Sequence, residues 1–213
     1  MKKFILPLLL LLFVGSLFAV ESEPSAVVGY VKYDCVAGLN FVALPMDQGY
    51  AWASDLGTAY TGLTDAISYF DTALQDWNTA VDLGGFWDGD FEVGNGSALL
   101  MYAYEPFSFY SIGDMFATNA SYNLVTGLNT AMVPLNRSDL AWAGDIGTEI
   151  GSDAISYFDS SLQDWSTAVD LGGFWDGDFE VAIGFPFLAY AWSDTVWPTP
   201  VRNIDSNLLR TSK

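Results

Sequence analysis

A stretch of 29 residues is written twice in this chain with only three changes. "DAISYFDTALQDWNTAVDLGGFWDGDFEV" begins at Asp65, and "DAISYFDSSLQDWSTAVDLGGFWDGDFEV" begins at Asp153. The last fifteen letters, Thr79 to Val93 and Thr167 to Val181, are identical. Looser likeness extends upstream. "YDCVAGLNFVALPM" from Tyr33 aligns with "YNLVTGLNTAMVPL" from Tyr122, and "AWASDLGT" from Ala51 with "AWAGDIGT" from Ala141. The offset drifts between 88 and 90, so small insertions fall between the blocks. A period near 88 exceeds the roughly 20–50 residues of a solenoid unit. It fits a small domain, which buries about 60–65% of its surface and folds if its core is good. The duplication therefore predicts two tandem homologous modules, residues 26–114 and 115–201, followed by a polar C-terminal tail, 202–213.

Within a module the pattern is mainly β and sandwich-like, with one short helix. "YDCV" and "FVALPM" read as short strands joined through "AGLN", whose Gly and Asn supply turn chemistry, so a hairpin is expected there. Pro45 ends the second strand. "ASDLGT" reads as a short helix capped by Ser54 or Asp55; its counterpart keeps only the Asp, as Asp145. "AISYFD" and "DWNTAV" form a hairpin around "TALQ". "FWDGDFEV" alternates: Trp87, Gly89, Phe91 and Val93 face one way, and Asp88, Asp90 and Glu92 the other. "ALLMYAY" (98–104) and "FLAYAW" (187–192) are continuously apolar, as strands covered on both faces are.

Two resemblances attach to these segments. "YFDTALQDW" resembles the hairpin of a kelch propeller blade, in which a Tyr-x-Asp strand turns into a Trp-bearing one. Kelch repeats imply a period near 50, and two copies 88 apart do not make a propeller. The order strand, Gly-Leu-Asn, apolar strand ending in Pro, short helix, Tyr/Trp hairpin is similar to the tandem "GWNLISLPL"-type repeats of secreted and surface-associated microbial proteins. Those repeats have Trp after the Gly, where this chain has Leu39 and Leu128. The resemblance implies an extracellular β-rich module of architecture or adhesion and carries no catalytic residues.

The N-terminus reads as an export signal, residues 1–19. Lys2 and Lys3 precede an apolar run of 11 residues, Phe4 to Val14, and small residues lead to cleavage after Ala19. That run is shorter than the roughly 20 apolar residues a membrane span needs. No transmembrane segment is expected after cleavage. The protein is expected to be secreted and extracellular or at the cell surface, with the periplasm as the alternative compartment. Cleavage would leave all 26 acidic residues but only Lys32, Arg137, Arg202, Arg210 and Lys213 as bases. A net charge of −19 already in the full chain repels phosphate backbones, so nucleic acid is excluded as a partner. With Cys35 the only cysteine, no intrachain disulfide can form and the fold must rest on its core.

The residue inventory closes most catalytic chemistry. The chain has no histidine, which removes Ser-His-Asp and Cys-His sites and every His-ligated metal. It has no G-x-x-x-x-G-K phosphate loop. Paired carboxylates survive as glycosidase candidates. Their verbatim duplication, however, argues for scaffold, and the chain is expected not to be an enzyme. No cofactor is expected other than calcium. Its candidate ligands are Asp88, Asp90 and Glu92 with Asp176, Asp178 and Glu180, spaced like the opening of an EF-hand loop. The EF-hand match then fails at Val93, which should be Gly, and at Leu99, which should be Glu. The plain alternative is a solvated acidic face.

Trp77 and Trp165 belong to hairpin packing and Trp87 and Trp175 to the core. Trp52, Trp142, Trp192 and Trp197 have no place in the pattern, and no ligand-binding residue is assigned. The reading that results is an exported, non-enzymatic structural or adhesion protein of two modules, with other surface proteins or glycans as partners. The alternative is a carbohydrate-binding module.

Overall fold

The computed structural model describes residues 28–198. The expected signal peptide, the C-terminal tail and the outermost residues of the two modules lie outside them. The first module contains β1 (Val28–Cys35), β2 (Gly38–Ala43), α1 (Ala53–Ala59), β3 (Ala66–Asp71), β4 (Asp76–Asp82), β5 (Trp87–Asp88), β6 (Ala98–Ala103) and β7 (Phe107–Asp114). The second repeats the order: β8 (Tyr122–Leu124), β9 (Gly127–Met132), α2 (Ala143–Ile150), β10 (Ala154–Asp159), β11 (Asp164–Asp170), β12 (Trp175–Asp176), β13 (Pro186–Ala191) and β14 (Thr195–Trp197). Each module has a five-stranded antiparallel sheet, ordered β2-β6-β3-β4-β5 and β9-β13-β10-β11-β12, and a separate two-stranded ribbon, β1-β7 or β8-β14. The fold is thus mainly β, in two homologous modules with one short helix each.

The predicted Tyr/Trp hairpin forms in both copies. Asp71 Oδ1 accepts the N–H groups of Ala73 and Leu74 at 2.8 and 3.0 Å, which closes the turn, and Gln75 completes it at φ 55°. Phe70 stands opposite Trp77 in the register, and their rings meet edge to face at 5.4 Å. Such a pair adds about 0.5–1.5 kcal/mol beyond its buried area.

The predicted hairpin between "YDCV" and "FVALPM" does not form. β1 pairs with β7 and β2 with β6. The reason is Asn40, which is buried. Its side-chain oxygen accepts Val36 N–H at 2.8 Å, and its amide donates to the Val36 and Gly38 carbonyls at 2.9 and 3.0 Å. The amide supplies the hydrogen bonds a ladder would have supplied, so the chain turns a corner from ribbon to sheet. Asn129 does the same between β8 and β9.

The helix also departs from expectation at its start. Trp52, not Ser54 or Asp55, is the N-cap residue. Asp55 sits at the third helical position and accepts Ala51 and Trp52 N–H, both at 3.0 Å. Asp145 repeats this with Ala141 and Trp142. In each module the helix, sheet and ribbon enclose one apolar core. One centres on Leu56, Ile67, Met101 and Phe109, the other on Ile146, Ile155, Phe187 and Trp197.

The opposite faces of the two sheets meet each other. Phe41, Ala98, Leu100 and Phe158 form a buried cluster, with Leu39, Trp77 and Trp165 packed on it. Trp77 and Trp165 stack across the seam at 6.1 Å. This contact covers the second face of β6 and explains its continuous apolar run. Two amide clasps flank the seam. Gln163 accepts Leu39 N–H at 2.8 Å and donates to Leu39 O at 2.9 Å. Gln75 treats Leu128 the same way, at 2.7 and 3.1 Å. A side chain on Gly38 or Gly127 would overlap these amides, and both glycines have positive φ.

Candidate functional site

The six candidate calcium ligands are exposed but do not lie along one strand. The expected run "FWDGDFEV" is a strand only at Trp87–Asp88, because Gly89 turns the chain at φ 73°. A side chain there would collide with the Thr79 carbonyl, so the turn demands glycine. Past the turn, Asp90 Oδ1 accepts Ser54 N–H at 2.9 Å and Phe91 N–H at 3.0 Å. Ser54 is the second residue of α1, so this carboxylate satisfies an orphan donor of the helix start from another element. Asp178 does the same for Gly144 and Phe179. Asp88 and Asp176 stand on β5 and β12 beside Val81 and Val169. Glu92 and Glu180 form isolated backbone bridges with Trp52 and Trp142. Among the described residues, no group of three or more acidic or cysteine side chains is placed to hold a metal ion.

The tryptophans divide differently from the sequence expectation. Trp87 and Trp175 pack on their cores as expected, but each needs missing side chains on the helix below. A methyl group on Gly57 would overlap the Trp87 ring, and one on Gly147 the Trp175 ring. Trp77 and Trp165 pack in their hairpins and also form the seam. Trp197, unassigned by the pattern, is a core residue. It stacks on Tyr122 at 6.0 Å, and its indole N–H donates to Glu149 at 3.0 Å. Glu149 also takes a two-pronged bond from Arg137, whose guanidinium is shared with Asp139. The Arg137 hydrogen bonds outweigh partial burial and hold the Glu149 carboxyl below the usual carboxylate range. Cys35 is a buried thiol pushed up to about 11 by that burial, which makes it inert at neutral pH.

Two surface features bear on function. The first is the pair of tips joining β4 to β5 and β11 to β12. Asp82 Oδ1 accepts Gly84 and Gly85 N–H at 3.0 and 2.6 Å, and both glycines take positive φ. This tight turn leaves Leu83 and Phe86 each 66% exposed. Asp170 builds the same tip, with Leu171 65% and Phe174 66% exposed. Composition could not reveal this, because Leu and Phe read as core residues.

The second feature is a cleft of about 470 Å³ in the second module. Thr148, Ser152, Asp153, Asp170, Trp175 and Trp192 line it. Trp192 is 61% exposed and meets Tyr190 edge to face at 4.8 Å. Flat indoles beside hydroxyls and carboxylates suit a polyhydroxylated ligand, whose apolar ring face stacks while its hydroxyls bond.

No protein-family model matches the chain, and neither curated proteins nor solved structures provide a match.

Proposed function

We propose that the protein is an exported, non-enzymatic structural or adhesion element of the cell surface or extracellular space. The observation that carries this reading is the duplicated Leu-Gly-Gly-Phe tip. Two identical apolar hairpin ends stand in solvent on modules clasped together by a stacked tryptophan pair. Exposed apolar side chains on rigid turns mark contact surfaces, and two of them on one body add avidity if a partner engages both. The acidic body keeps the protein soluble until contact is made. The test uses a variant carrying Leu83→Ser, Phe86→Ser, Leu171→Ser and Phe174→Ser. It should retain its melting temperature yet no longer co-sediment with intact cells of the producing organism. Undiminished co-sedimentation would remove the tips from this role.

A second reading, carbohydrate binding, is favoured by the Trp175–Trp192 cleft. A glycan array should then give selective signals, and Trp192→Ala should abolish them. A blank array with a folded protein counts against it.

A further inference from the structure

We infer that the cleft of the second module selects a positively charged ligand, an amino sugar rather than a neutral one. This inference rests on the carbohydrate reading for the sugar ring; the charge preference comes from the cleft itself. Its walls carry two indoles and two carboxylates, Asp153 and Asp170, and no basic side chain. The face of an indole attracts cations, and Trp does so better than Tyr or Phe. Asp170 already accepts two backbone N–H bonds, whereas Asp153 makes no side-chain hydrogen bond among the described residues. That leaves Asp153 free to receive an ammonium. The surrounding body has a strong negative excess, and within residues 28–198 only Lys32 and Arg137 are basic. Both are engaged by carboxylates. The field at the cleft therefore favours cations.

Comparison of the modules strengthens the case. The hairpins differ at only three positions, yet the residue after the central strand and the loop after the helix both differ between the modules. Trp192 follows β13 where Tyr104 follows β6. The connection from helix to hairpin is three residues in the second module, 151–153, against six in the first, 60–65. In the first, that longer loop is tied down, with Tyr104 N–H bonded to Leu63 O at 3.0 Å. Both modules carry an exposed aromatic here, and the indole in place of a phenol, with the shorter loop, marks where one copy has diverged from the other.

The experiment titrates the intrinsic fluorescence of the full chain with the glucosamine tetramer, under conditions that charge its amines. The N-acetylglucosamine tetramer serves as the neutral match. Saturable quenching by the amine form, at least about tenfold tighter than by the acetylated form, supports the inference. Asp153→Asn should remove most of that preference while leaving the melting temperature unchanged, and Trp192→Ala should remove the quenching. Equal binding of both tetramers would overturn the charge preference and leave the carbohydrate reading standing. Binding of neither would overturn both.

Discussion

Single side chains here do work that their type does not announce. Glycine in a helix interior normally costs about 1 kcal/mol relative to alanine. Gly57 and Gly147 reverse that sign, because an indole fills the space a methyl would need. Gly57→Ala should therefore destabilise the protein by about 1–3 kcal/mol, an overpacking cost. A thermal melt checks the direction, and an increase in melting temperature would contradict the packing. Asn40 is a second case. Asn40→Ala strips Val36 of partners for both its N–H and its C=O in a half-buried corner, and should cost about 1–3 kcal/mol in denaturant titration. Glu149 gives a pH dependence. Its folded pKa lies below the unfolded value of about 4.3, so the folded state binds fewer protons between the two values. The stabilisation is fully present above the unfolded value and is lost as pH falls through the folded one. Glu149→Gln should lower the melting temperature at neutral pH, with the gap to the unaltered protein narrowing in acid.

The loop after each short outer strand is shaped by its carboxylates. Asp90 and Asp178 each commit one carboxylate oxygen to a helix N–H group across a glycine turn. The melting temperature is accordingly expected to be the same in EDTA and in millimolar calcium. A bound ion at 100 times its dissociation constant would raise stability by about 2.7 kcal/mol, which such a melt detects easily. Asp90→Ala should instead cost about 1 kcal/mol, the size of a lost helix cap. The alternation of apolar and acidic letters is real as exposure, since Trp87, Phe91 and Val93 are partly buried and the acids are wet. It is not a strand pattern, because a positive-φ glycine interrupts the backbone while the side chains still sort by solvent.

The two modules should behave as one cooperative body. Each sheet carries its module's core on one face and the other module on the opposite face. The seam repeats its contacts reciprocally. Tyr33 donates to Gly184 O at 2.7 Å and Tyr122 to Gly96 O at 3.0 Å, as Gln163 and Gln75 each clasp the opposite module. A single denaturation transition is expected. Trp77→Ala, which removes one member of the stacked pair, should lower stability by about 2–4 kcal/mol. Two separate transitions in the unaltered protein would show that the seam does not couple the modules.

The letters alone determined the duplication, the β character, the Tyr/Trp hairpins and the placement of the helices. These follow from period-two patterning, turn residues and short-range capping, which act over a few positions. Only the folded chain decided that β1 leaves its neighbour for β7, that Trp197 is buried while Trp192 is bare, and that Gln75 and Gln163 bind the opposite module. Those outcomes depend on surfaces brought together from some 50 to 150 residues apart. A strand's apolar run records that both its faces are covered; it carries no record of what covers them.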